Sequence, residues 1–155
     1  MKKFSMDNIK FRLQEIDTLQ FALLPEAYDS KAEKFHYSFG VNFTFPDAQK
    51  RIVGCSSLIK YKGEVSPFLV LEVAVYFEVE ENSWNSLLDT KTKQIKLPKP
   101  TALHMMTLLI GTARGILHSE TKNTVFNRLI LPTINLNDLI DGEVIHSFSE
   151  SEKED

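Results

Sequence analysis

Four histidines, at positions 36, 104, 118 and 146, and one cysteine, Cys55, are the side chains of this 155-residue sequence with the widest chemical range. Imidazole and thiolate together can act as base and nucleophile, or can ligate a transition metal. The spacing supports neither. No two histidines stand at metal-ligand intervals, and a single cysteine excludes an intramolecular disulfide and any Cys-rich metal site. His36 falls on the polar face of a strand pattern. His104 and His118 share a helical pattern on roughly the same side, which suits a helix–helix contact or, more commonly, solvated positions. Cys55 lies inside an apolar alternation and reads as a small core hydrophobe. The acid pair Glu80-Glu81 falls at a strand end, where solvation is its role. Arg114, the strong cation within the helical pattern, suits an ion pair across an interface and exposure to water equally well. There is no phosphate-binding glycine loop and no dinucleotide fingerprint. No catalytic residue, metal or cofactor is expected, and the chain does not read as an enzyme.

The informative pattern is apolar. In Phe35-His36-Tyr37-Ser38-Phe39-Gly40-Val41-Asn42-Phe43-Thr44-Phe45 every odd position is apolar and every even one small or polar. Period two places these sets on opposite faces of a pleated strand. Burying a large apolar side chain is worth about 1.5–3 kcal/mol, so six in a row need cover from the chain, a second copy or a ligand. Phe35, Tyr37 and Phe39 are the candidates for ordinary core.

Other strands surround this one. Residues 8–24 alternate through Ile9, Phe11 and Leu13, lose phase at Glu15-Ile16-Asp17, and regain it at Leu19, Phe21 and Leu23, which predicts a bulge or bend near Ile16. A third strand runs from about Arg51 to Tyr61, with Val53, Cys55, Ser57, Ile59 and Tyr61 on one face. The strongest covers Leu69 to Val79. The short spacing favours an antiparallel meander. Residues 81–100 read as polar and irregular, anchored by Trp84, Leu87 and Leu88, with Lys91–Lys99 as a loop.

At Thr101 the period changes to that of a helix. Thr101 caps it, it ends near His118, and Leu103, Met106, Leu109/Ile110, Ala113 and Ile116/Leu117 form its buried stripe. Gly111 and Gly115 lie four apart, a small-residue face that admits a second helix closely. After Pro132, Asn135 or Asn137 caps a last short amphipathic helix with Leu136, Leu139, Ile140 and Val144. The expected fold class is α+β: a four-stranded antiparallel sheet followed by one long and one short helix packed on one face.

Bulk properties narrow the function further. The length suits a single domain, residues 1–146, with 147–155 as an acidic disordered tail. The tail region from Asp141 holds six of the 21 acids and one of the 18 bases. The remainder carries no clustered basic footprint, so nucleic acid is an unexpected partner. The start, Met1-Lys2-Lys3-Phe4-Ser5, has no apolar run behind its two bases, and no stretch is long enough to span a membrane. A cytoplasmic protein is expected.

Residues 99–141 carry a family likeness. Ala113-Arg114-Gly115-Ile116-Leu117, Asn123-Thr124-Val125-Phe126 and Leu131-Pro132-Thr133-Ile134-Asn135-Leu136-Asn137-Asp138-Leu139-Ile140 resemble the C-terminal half of the export chaperone SecB. The strand-then-helix order and Phe11–Pro25, with its Gln14, Ile16 and Thr18, are also similar to that family. The resemblance implies an ATP-independent holdase for unfolded polypeptides, such as preproteins for export. It further implies a homotetramer built as a dimer of dimers, with the long helices, and so Gly111, Arg114 and Gly115, at the interface. By the same likeness the client groove draws on Phe21, Leu23, Val41, Phe43, Phe45, Leu136, Leu139 and Ile140. Of three acids that family members present to the translocation motor SecA, Glu72 matches one, while Gln20 and Leu24 replace the others. That loss weakens the expectation of delivery to SecA and leaves a relative dedicated to one client, such as an antitoxin, as the alternative. Two further readings stay open on the residues alone: a carrier of a small apolar ligand and an enzyme of unrecognised type.

Overall fold

The computed structural model describes residues 9–29, 31–32, 35–64 and 66–148. Strands β1 (Phe11–Leu23), β2 (His36–Asp47), β3 (Ile52–Lys62) and β4 (Pro67–Val79) form one antiparallel sheet in the order β1-β4-β3-β2. β2, β3 and β4 follow one another as the expected meander. β1 instead lies beside β4, which gives a Greek-key order. β2 and β1 are therefore the two edges of this sheet, and the most apolar strand, β4, lies inside.

Register explains the broken alternation of β1. Leu13 pairs with Phe77 but Glu15 with Tyr76, and Thr18 pairs with Val73 but Gln20 with Glu72. Gln14 and Leu19 are thus extra residues, two bulges where one was expected. Each bulge turns the next side chain over, so Phe11, Leu13, Ile16, Thr18, Phe21 and Leu23 share the face of β4's buried row. A third irregularity, between Tyr61 and Lys62 of β3, lies opposite Phe68. It accompanies a fully buried Phe68 ring, packed among Tyr28, Phe35 and Phe126.

The stretch after the sheet is more ordered than its polar sequence predicts. Helix α1 (Glu81–Leu87) sinks Trp84 and Leu87 into the core, and a hairpin of β5 (Leu88–Asp89) and β6 (Gln94–Leu97) follows. Lys93 closes that hairpin at φ 56°. Asp89 organises the turn through its Oδ1, which accepts from the backbone N of Lys91 at 3.0 Å and of Thr92 at 3.2 Å. Helix α2 (Lys99–Glu120) starts earlier than expected: Pro98, not Thr101, is its N-cap, and Thr101 is buried. Pro100 in the first turn lacks only an N–H that the helix would leave unpaired there. Ala102, Met105, Met106, Leu109, Ile110, Ala113 and Leu117 form its buried stripe.

The expected last helix is replaced by two smaller elements. Leu136–Leu139 is one 3-10 turn, capped by Asn135, whose Oδ1 accepts from the Asn137 N at 3.2 Å. Val144–Ser147 is a strand, β7, antiparallel to β6 in a second sheet ordered β5-β6-β7. Leu136 and Leu139 stand three apart, which suits a 3-10 turn as well as a helix, and Gly142 lies between the turn and β7. Ser147 and Phe148 are ordered parts of the fold rather than tail. The proposed disorder of residues 149–155, and the reading of Met1–Ser5, lie outside the described residues.

Candidate functional site

The inner face of the main sheet is wider than its cover. Cross-strand rows run Tyr37-Tyr61-Leu69-Leu23, Phe39-Ile59-Leu71-Phe21, Val41-Ser57-Val73-Thr18 and Phe43-Cys55-Val75-Ile16 from β2 to β1. The β3 and β4 members are all buried. A helix is about 10 Å across and strands lie about 4.8 Å apart, so α2 covers two strands of the four. Both edge strands are left at its margins.

The two margins differ. Along β1, Leu13, Ile16 and Leu19 are 44%, 50% and 47% exposed. Along β2, Phe39, Val41, Phe43 and Phe45 are half-buried, as are Ile134, Leu136, Ile140, Val144 and Phe148 of the C-terminal segment, all packed against the core. Arg114 ties this segment down: its Nε donates to the Leu131 carbonyl at 3.0 Å and an Nη to that of Pro132 at 3.1 Å. Within one chain the guanidinium thus has an anchoring role that the sequence did not suggest. Further on, the His146 ring stacks on Phe45 with centroids 4.7 Å apart. At the opposite end of β2, Phe35 joins Tyr28, Phe68 and Phe126 in an aromatic cluster over which the Arg128 guanidinium lies, 5.1 Å from the Phe35 ring centre. Of the three residues expected as ordinary core, Phe35 and Phe39 are half-buried against the core rather than enclosed in it, and Tyr37 is 44% exposed and tilted towards Tyr61.

Reactive groups in this region are quiet. Burial pushes the Cys55 thiol from 9.0 up to about 12. The Tyr61 phenol is raised to about 12, chiefly by burial and then by the nearby Tyr37, with Arg114 opposing. Ser57 Oγ and Tyr61 Oη are buried without a protein hydrogen-bond partner. His104 packs on Phe11, and His118 neighbours Asn127, so the imidazoles are dispersed. Among the described residues no group of His, Cys, Asp and Glu could hold a metal ion.

No protein-family model matches the sequence, and no curated protein matches it. The fold does find a counterpart. A SecB-like chaperone of Mycobacterium tuberculosis, solved in complex with a ChAD peptide from the HigA1 antitoxin, superposes with a TM-score of 0.51 at 12% identity. The match covers 81% of this chain and 90% of that one. The fold is SecB-like.

On this SecB-like fold the residues carried over from the resemblance separate into groups. Val41, Phe43 and Phe45 line the β2 margin, with Leu136, Leu139 and Ile140 in the segment that packs beside α2. Phe21 and Leu23 lie on the same face of the sheet but at the β1 edge, three strand spacings or about 14 Å away. One chain does not bring them into the β2 groove. Glu72 is on the outer face, between Gln20 and Leu58, and Leu24 is 47% exposed just beyond β1. Gly111 and Gly115 are exposed on α2, and a Cβ added at either would meet nothing within 4 Å. His146 and Phe148, on the cover itself, were missed by sequence reasoning. The alternation Val144-x-His146-x-Phe148 was the available signal, obscured by the helical reading of Leu136 to Val144.

Proposed function

We propose that this chain is an ATP-independent holdase that binds unfolded polypeptide along the inner margin of β2. The observation that carries the reading is the alternating row Phe39, Val41, Phe43 and Phe45 on an edge strand, half-buried, with His146 of the short C-terminal segment stacked on Phe45. Many sequences can supply apolar side chains to such a surface, and an edge strand offers main-chain pairing that any sequence can use. The SecB-like fold supports the reading, because a protein of that fold holds a peptide from another protein.

Within this reading a dedicated client is favoured over general preprotein export. Gln20 and Leu24 stand where acids would contact SecA, leaving Glu72 alone, and charge lost from a contact weakens its steering and specificity. The fold neighbour's peptide comes from an antitoxin, which makes an antitoxin-like client the natural first candidate. The working form is a cytoplasmic homotetramer, a dimer of dimers, in which the exposed faces of Gly111 and Gly115 meet a second helix. Such pairing would also give Leu13, Ile16 and Leu19 cover that one chain does not provide.

The test is fluorescence anisotropy with a labelled, permanently unfolded reporter, reduced and carboxamidomethylated α-lactalbumin. Wild type binds it, and Phe43→Asp and Leu139→Asp each bind at least tenfold more weakly with the oligomer intact. Unchanged affinity in both variants places the site elsewhere. A copurifying small apolar molecule with no reporter binding would favour the carrier.

A further inference from the structure

The β2 margin ends at a seat that the chain already fills with an extended segment of its own. β7 presents Val144 and His146 inward and Ile145 outward, the last 51% exposed, and Phe148 continues the inward set. His146 stacks on Phe45, and the Phe148 ring meets His146 edge-on at 5.0 Å. Phe148 also lines an apolar groove of about 470 Å³ with Ala48, Trp84 and Leu88, and its N–H donates to the Lys93 carbonyl at 3.0 Å.

We propose that Val144–Phe148 holds the place of a client, and that an extended client segment with apolar side chains at three alternate positions binds by replacing it on β6. The proposal rests on the holdase reading and names the mode of binding at that site. Three features specify this occupant. First, β7 is short: four residues pair with β6, and β7 is the outer strand of its sheet. It follows an exposed Asp141-Gly142-Glu143 link, so it can leave without disturbing α2 or the main sheet. Second, the middle inward position holds an imidazole. A histidine ring stacked on Phe45 buries less apolar surface than leucine or phenylalanine would there, so the resident is a weaker occupant than an apolar competitor. Third, strand addition to β6 uses main-chain hydrogen bonds, which are indifferent to sequence, while the alternate pockets select apolar side chains. Together these describe an unfolded polypeptide and not a small molecule or a folded surface.

A cross-strand lock tests this. Gln94 and Ser147 are register partners whose side chains already touch, Gln94 Nε2 donating to Ser147 Oγ at 3.1 Å. Antiparallel partners lie within disulfide range, and Cys55 is buried and too little ionised to interfere. In the Gln94→Cys/Ser147→Cys variant, oxidation should weaken binding of the unfolded α-lactalbumin reporter at least tenfold, and reduction should restore it. Equal affinity of oxidised and reduced forms overturns strand replacement while leaving the holdase reading intact. Failure of wild type to bind the reporter overturns both. If that disulfide does not close, Lys96→Cys/Ile145→Cys locks a register pair two positions along the same strands and is read in the same way.

Discussion

Replacing Arg114 by methionine probes how the cover over the β2 margin is held. The guanidinium makes two hydrogen bonds, to the carbonyls of Leu131 and Pro132. Methionine keeps most of the aliphatic packing and removes both donors. Hydrogen bonds from a charged group contribute about 1.5–3 kcal/mol each, and the half-buried position argues for the lower figure because solvent screens it. The expected loss is therefore about 3 kcal/mol. For a domain of this size each kcal/mol moves the midpoint by about 2–4 °C, so Tm should fall by about 6–12 °C. Arg114→Lys keeps the charge but not the planar fork, and should lose about half as much. Urea unfolding followed by far-UV circular dichroism gives the free energies directly. A midpoint for Arg114→Met within about 0.5 kcal/mol of wild type would refute the view that this side chain anchors the segment.

Two further outcomes follow from the same structure. Gly111→Leu and Gly115→Leu meet open space within one chain, and each should favour the helix by about 0.5–1 kcal/mol. In the proposed tetramer the added side chains separate the helices, so native mass spectrometry should show smaller species; an undiminished tetramer removes this face from the interface. Glu78 bonds to Arg12 at 2.9 Å, with Arg51 3.9 Å away, and the Arg12 hydrogen bond chiefly holds its carboxyl below the usual range. A lowered folded value means that the folded state binds fewer protons. The contribution is therefore present above the unfolded value of about 4.3 and is lost as pH falls through the lowered one. Urea midpoints of wild type and Glu78→Gln should converge as pH drops from 6 to 3; a constant gap would contradict this.

Period-two alternation reported β2, β3 and β4 faithfully, because each has one face turned towards the core and pairing without interruption along most of its length. It reported β1 only in outline, because two bulges re-phase Ile16 and Phe21 without any local mark at Gln14 or Leu19. The C-terminal region was harder to read. Ile95 and Leu97 stand among lysines and prolines, so β6 has almost no signal alone, and β7 exists because β6 is there to pair with it. With that partner unseen, Leu136, Leu139, Ile140 and Val144 fit a helix. The β2 half of the candidate site was legible as an apolar row. Its cover was not, since Arg114 reaching 17 residues along the chain and His146 reaching Phe45 are tertiary contacts.

The central claim is that this chain keeps unfolded polypeptide soluble through the β2 margin. Light scattering of a thermally unfolding client, mixed with wild type or with Phe43→Asp, tests it most directly. Wild type should suppress aggregation near stoichiometric ratios, and Phe43→Asp should require a large excess. Aggregation undiminished by wild type, or suppressed equally by both, would contradict the account.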